Sequence, residues 1–202
     1  MPVLGVILAG GAARRMGGGD KVLLRLAGRT LLERVAERLG PQCGAGLVLS
    51  ANGDPARFTG FGGAVLPDGV PDRPGPLAGI LAGLDHAAGI GVERVVSVSG
   101  DAPFLPRDLV ARLAGAVTAS GAAIAVAASG GHRHFTVALW PSALREDLRA
   151  ALAERGERRV GAFIARHGAE FVSWPAEPAD PFHNVNTPDD LAAAETMAAA
   201  LG

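Results

Sequence analysis

Two arginines, a lysine and five glycines crowd the start of the chain: Gly10-Gly11, Arg14-Arg15, Gly17-Gly18-Gly19 and, after Asp20, Lys21. Glycine lets backbone N–H groups close on an anion, and basic side chains neutralise it, so this stretch suits the phosphates of a nucleotide. It fits neither of two common phosphate motifs. The pattern G-x-x-x-x-G-K-[ST] fails because Asp20 precedes Lys21 and Val22 follows it, and no glycines fall at G-x-G-x-x-G spacing. A merely basic surface loop is the competing reading. The apolar, β-branched run Val3 to Leu8 directly before it favours the phosphate reading, since a buried strand feeding a glycine-rich turn is how such sites are built.

Asp101 is the matching carboxylate. It follows the run R-V-V-S-V-S-G, and a lone carboxylate at a strand end suits Mg²⁺ carried on a phosphate chain. The alternative is a cap for the segment that begins near Pro106. Asp68, after Ala64 to Leu66, could accept from a base or ribose or touch the metal shell, or simply close a turn. Asn184 and Asn186 lie two apart, so in extended chain they point the same way, toward a polar ligand or a metal-bound water, or serve as turn and helix caps. His132 and His134 share a face, but no third ligand supports zinc, which leaves a substrate contact or a surface histidine. His86 and His167 read as structural, and Arg158-Arg159 as a solvated face. No nucleophile and base stand together. Chemistry that positions charged reactants, phosphoryl or nucleotidyl transfer, is therefore favoured.

These residues need elements to hold them. Thr30 and Glu33 form a capping box, with Leu32, Val35, Ala36 and Leu39 on one face until Gly40-Pro41. Gly46 to Ser50, Ala64 to Leu66 and Arg94 to Ser99 read as strands, and Pro76 as the first residue of a helix. Pro106 is expected to open another helix. Strands Ala122 to Ala127 and His134 to Trp140 meet through Ser129-Gly130-Gly131, a tight link that implies an antiparallel pair. Helices are expected over Ser142 to Arg155 and Arg158 to His167, then a strand over Ala169 to Ser173 and a last helix capped by Thr187 with Pro188 first. The pattern is a three-layer α/β/α fold with a mostly parallel twisted sheet and one antiparallel strand, a single domain over residues 1–202. Ligands in such folds sit beyond the carboxyl ends of the strands. The glycine-rich loop, Ser50, Asn52, Asp68 and Asp101 all follow strands, so one cleft can collect them.

Composition narrows the partners. The chain has 202 residues, 49% of them hydrophobic, with 19 basic and 20 acidic side chains. That balance argues against nucleic acid and anionic membrane surfaces. The one cysteine, Cys43, excludes an internal disulfide and reads as an apolar filler. No apolar run approaches the roughly 20 residues of a membrane span, and no basic segment precedes the first apolar run, so a cytoplasmic protein is expected.

Five stretches together resemble the molybdenum cofactor guanylyltransferases, within the glycosyltransferase-A-like (nucleotide-diphospho-sugar transferase-like) nucleotidyltransferases. They are Leu8 to Lys21, P-G-P-L-A-G-I from Pro74, G-D-A-P-F from Gly100, G-E-R-R-V from Gly156 and N-V-N-T-P-D-D-L from Asn184. The resemblance implies transfer of GMP from GTP to the terminal phosphate of molybdenum-molybdopterin, with release of pyrophosphate. It implies that Leu8, Ala9, Gly10 and Gly11, with Pro76 and Leu77, contact the nucleotide. Arg15 and Lys21 would hold its phosphates, Asp68 the nucleoside, and Asp101 Mg²⁺. His134, Asn184 and Asn186 would face the pterin. It further implies hand-off to molybdopterin-inserting proteins and molybdoenzyme chaperones. Two positions depart from the pattern: Phe135 stands where relatives carry proline, and Ser50 where relatives often carry asparagine, which leaves open whether Ser50 or Asn52 meets the nucleotide. The rival cytidylyl enzymes read L-A-A-G and lack P-L-A-G, so Gly10 and Pro76 to Gly79 favour guanine. A non-catalytic nucleotide-binding module is the rival from another class.

Overall fold

The computed structural model describes residues 1–9, 20–69 and 75–201. Gly10, Gly11, Arg14 and Arg15 of the glycine-rich loop lie outside the described residues, as does the segment 70–74.

Among the described residues, seven strands form one sheet in the order β5-β4-β1-β6-β8-β7-β9, with β1 at Val3–Leu8, β4 at Leu47–Ser50, β5 at Ala64–Leu66 and β6 at Arg94–Ser99. β7 (Ile124–Ser129), β8 (His132–Pro141) and β9 (Ala169–Trp174) complete it. β5, β4, β1 and β6 run parallel, as do β7 and β9, while β8 runs antiparallel between β6 and β7. All six residues of β1 are buried, which is what a strand covered on both faces requires. A separate two-stranded ribbon, β2 (Arg25–Leu26) with β3 (Arg29–Thr30), precedes α1 (Leu31–Leu39).

Two apolar cores lie on the two faces of the sheet. Leu32, Val35 and Leu39 of α1 and Leu109, Leu113 and Val117 of α3 (Leu109–Ser120) fill one. Leu77, Ile80 and Leu84 of α2 (Pro76–Gly89), Leu148 and Leu152 of α4 (Arg145–Ala153) and Phe163 and Ile164 of α5 (Val160–His167) fill the other. The layers are therefore α/β/α, as expected. α6 (Pro188–Leu201) packs through Ala194 on a third, smaller core with Leu26, Leu31, Phe104 and Val185. That core matters for function, because it anchors the segment carrying the two asparagines.

Several boundaries differ from the sequence reading, each for a local reason. α3 begins at Leu109, not Pro106. Gln42 holds this start from outside, donating to Pro106 O at 2.9 Å and accepting from Val110 N at 3.0 Å, so an orphan helix donor is satisfied without a local cap. Ser142–Leu144 is a 3₁₀ turn ahead of α4, with Ser142 N tied to Glu93 O at 2.9 Å. β7 starts two residues late, because Ala122 N is taken by Ser120 Oγ at 3.2 Å and belongs to the linker. The Thr30–Glu33 capping box, Pro76 opening α2 and the antiparallel β7–β8 pair are as expected.

Candidate active site

The carboxyl ends of β4, β1 and β6 meet at one edge of the sheet. Ala9 N donates to Ser50 O at 2.9 Å and Gly100 N to Leu8 O at 3.0 Å, so the three strand ends are stitched side by side. Leu8 and Leu77 turn their side chains into the core, so any contact they make with a nucleotide runs through backbone. Pro76 opens α2, and its helix N-terminus points positive charge toward this edge. A Cβ at Gly79 would lie 2.5 Å from Ser50 Oγ, which explains why P-L-A-G needs its glycine: the helix must approach Ser50 closely.

Ser50, Asn52 and Asp68 form a connected cluster. Ser50 Oγ donates to Asp68 Oδ1 at 3.3 Å, Asn52 Nδ2 donates to Asp68 Oδ2 at 2.7 Å, and Asp68 N donates to Asn52 Oδ1 at 2.8 Å. Ser50 is buried and Asn52 exposed, so of the two only Asn52 offers its side chain to solvent. Arg57, which sequence reasoning passed over, ties this cluster to the basic stretch. Its Nη1 donates to both carboxylate oxygens of Asp20, at 2.6 and 2.7 Å, and its Nη2 to Asn52 O at 2.5 Å.

Lys21 sits at the head of a 3₁₀ turn, Lys21–Leu23. Its ammonium donates to Asp101 Oδ2 and, at 2.5 Å, to Asn186 Oδ1. Both Lys21 and Asp101 side chains are 13% exposed, so the pair is shielded yet reachable. Ser99 Oγ donates to the other oxygen, Asp101 Oδ1, at 2.5 Å. Val185 N donates to Asp101 O at 3.0 Å, pinning the asparagine segment to the end of β6. Val185 is buried while Asn184 and Asn186 are exposed, the period-two alternation expected of extended chain. Asp190 Oδ2 then accepts from Asn186 N at 2.9 Å and Thr187 N at 2.8 Å, and Asp190 N donates to Thr187 Oγ1 at 3.1 Å. These backbone donors hold the Asp190 carboxyl below its ordinary value.

His134 stands apart, opposite Ala127 of β7. Its Nε2 is 2.7 Å from Ser129 Oγ, and its ring lies 4.7 Å from that of Phe182. Burial pulls its pKa down and the neighbouring His132 adds to that, while Asp180 opposes them. Neither Ser129 nor Asp180 was legible as a site residue. His167 Nε2 donates to Asp147 Oδ2 at 2.9 Å, within an ion cluster that also holds Arg155 and Arg166, so its structural reading stands. Arg158 and Arg159 are exposed.

A shielded cation facing two hard oxygens, a carboxylate and an amide, is a set suited to an anion chain with an oxygen-seeking metal. The sequence profile of the MobA-like NTP transferase domain matches residues 5–170. The chain belongs to that family. A protein of Bradyrhizobium sp. (strain ORS 278) named molybdenum cofactor guanylyltransferase is 57% identical, over 98% of this chain and 93% of its own length. A relative of the same name from Nitrobacter hamburgensis is 53% identical, over 100% of this chain and 97% of its own. Among solved structures, molybdopterin-guanine dinucleotide biosynthesis protein A from Archaeoglobus fulgidus superposes with a TM-score of 0.78 over 98% of this chain and 99% of its own. At 22% identity it shows the MobA-like fold alone. The 2-C-methyl-D-erythritol 4-phosphate cytidylyltransferase of Thermus thermophilus shares that fold, with a TM-score of 0.72 at 23% identity, covering 98% of this chain and all of its own.

Proposed function

We propose that this MobA-like NTP transferase moves GMP from GTP to the terminal phosphate of molybdenum-molybdopterin and releases pyrophosphate, with residues 1–202 acting as one nucleotidyltransferase domain. The single observation that carries the site is the meeting of Lys21, Asp101 and Asn186 beyond the strand ends, beside the Ser50–Asn52–Asp68 cluster. The identity of that reaction rests on relatives more than half identical over nearly their whole length.

The attacking group is a phosphate oxygen, already anionic at neutral pH, so no strong base is needed. The obstacle is bringing anion to anion. Lys21 supplies a fixed positive charge in a shielded place, and Arg15 adds a second from the glycine-rich loop; each such charge is worth on the order of 10²–10³ in rate. Exchange of the Lys21 ammonium from Asp101 to a phosphate oxygen would free the carboxylate at the moment the nucleotide arrives. Asn52 and Asp68 hold the nucleoside, and the α2 N-terminus at Pro76 and Leu77 adds its dipole.

Mg²⁺ fits the donors present. Asp101 Oδ2 and Asn186 Oδ1 converge on one positive charge, and both are hard oxygens. No group of three or more His, Cys, Asp or Glu suited to a metal occurs among the described residues, so the remaining ligands would be phosphate oxygens and water, the usual arrangement for Mg²⁺. When bound, it would neutralise charge on the phosphate chain. Asn184 and His134 are assigned to the pterin side.

No described helix is long and apolar enough to cross a membrane. On this reading the enzyme works in the cytoplasm and passes its product to molybdopterin-inserting proteins and molybdoenzyme chaperones. The test is pyrophosphate release with each of the four NTPs in the presence of loaded molybdopterin and Mg²⁺. GTP alone should support it and alone raise Tm. Release with CTP instead would assign a cytidylyl enzyme, and binding of GTP without release a non-catalytic module.

A further inference from the structure

Ser129, His134 and Asp180 come together from β7, β8 and the segment between β9 and α6. Ser129 Oγ is 2.8 Å from Asp180 Oδ1 and 2.7 Å from His134 Nε2, and Ser129 is 2% exposed. A hydroxyl has one proton to give. An ionised carboxylate only accepts, so that proton must go to Asp180. At the other contact Ser129 Oγ is therefore the acceptor, and His134 Nε2 must carry the hydrogen. The order of the three groups thus decides the tautomer of the ring.

The rest of the surroundings hold that order in place. Phe182 N also donates to Asp180 Oδ1, at 2.9 Å, and His183 N donates to Asp180 O at 3.2 Å, so the carboxylate cannot swing away. The Phe182 ring covers His134 at 4.7 Å between centroids, and Trp174 stands edge-on to Phe182 at 5.4 Å, which sets the plane of the imidazole. Among the described residues His134 Nδ1 has no hydrogen-bond partner, and the histidine is only half-buried.

We propose that Ser129 and Asp180 are positioning residues that lock His134 as its Nε2–H tautomer, so that Nδ1 is presented as an acceptor for an N–H group of the pterin substrate. The inference rests on the molybdopterin substrate proposed above. Burial is the largest influence on the ring and disfavours its cation; among the described residues the charged and titratable groups that act on it are Asp180, which favours the cation, and His132, which opposes it, and the balance lies toward the neutral ring. A neutral imidazole with a free lone pair selects a donor on the heterocycle rather than a phosphate. A serine used in this way is not a nucleophile, because its proton faces Asp180 and its lone pair faces the histidine.

The test uses full-length ¹⁵N-labelled protein, in which the ring signals of His134 are identified by their loss in His134→Gln. At neutral pH the wild type should show a protonated Nε2 and a bare Nδ1. Ser129→Ala should move both nitrogens toward a mixture of tautomers and weaken molybdopterin binding about tenfold, the size of one hydrogen bond, with GTP binding unchanged. Asp180→Asn should keep the lock, because Phe182 N holds the amide oxygen toward Ser129, while the pKa of His134 falls further. A wild-type ring protonated at Nδ1, no molybdopterin binding by the wild type, or a Ser129→Ala variant with unchanged nitrogens and unchanged molybdopterin Kd would overturn the proposal. A locked tautomer and intact molybdopterin binding in an enzyme that releases no pyrophosphate would overturn the reaction proposed above and uphold the lock.

Discussion

Lys21 and Asp101 are 80 residues apart in the chain and bonded to each other in the fold, with Asn186 sharing the same ammonium. One side chain comes from the end of the glycine-rich stretch, one from the end of β6 and one from the approach to α6. Three distant segments thus converge on a single charge.

Asp101→Asn removes half of that pair while keeping its shape. Turnover should fall on the order of 10²–10³-fold, the usual effect of deleting one electrostatic element at a phosphate site. Ser99 can still donate to the amide oxygen, and the fold should persist. The measurement is pyrophosphate release alongside a circular dichroism melt. Wild-type turnover in the variant would remove Asp101 from the machinery.

α2 packs so closely on β1 that a Cβ at Gly83 would lie 2.3 Å from Val6 Cγ2. Val6 is fully buried in a central strand and has nowhere to go. Gly83→Ala gains about 1 kcal/mol of helix propensity but loses about 1–3 kcal/mol to overpacking, so the net change is a loss. Gly115, in the interior of α3, has nothing within 4 Å of its Cβ position. Gly115→Ala should therefore stabilise by about 0.5–1 kcal/mol. Urea midpoints should move in opposite directions for the two variants; a common direction would refute the packing argument.

Asp190 gives a pH-dependent handle. Its carboxyl is held below the ordinary value of 3.8, first by Asn186 N–H and then by Thr187. A depressed acid stabilises the fold above its unfolded pKa and loses that contribution as pH falls through the folded value. Asp190→Ala should thus cost about 1 kcal/mol at neutral pH, as helix caps do. The gap from wild type should close below pH 3.8. Melting temperatures of both proteins across pH 2.5–7 would show a gap independent of pH if the cap were idle.

Local chemistry was legible in the sequence wherever one turn of chain decides the matter. The capping box at Thr30 and Glu33, Pro76 at a helix start and the tight β7–β8 link all needed no distant partner. The small ribbon β2–β3 was not legible, because two residues per strand carry no periodicity, and Ala27 takes a φ of 46° that its residue type does not announce. Pro106 misled because the donor that starts α3 is satisfied by Gln42, from another segment. At the site, Lys21, Asp101 and Asn186 were each recognisable by type, but their meeting on one ammonium was not. Ser129 and Asp180 gave no signal, since 51 residues separate them and neither sits in a motif of known spacing. Arg57 was hidden for the same reason: its partner Asp20 is 37 residues away.

The bond from Val185 N to Asp101 O has a bearing on biosynthesis. The sheet carrying Asp101 can form while the ribosome is still translating, since domains begin to organise from their N-terminal portion. Asn186 emerges more than eighty positions later than Asp101, so a nascent chain can bring Lys21 to Asp101 before the amide oxygen that shares the same ammonium exists. On the roles proposed above, a polypeptide released early would lack one of the oxygens offered to the metal, together with the Ala194 contact that closes the smallest core.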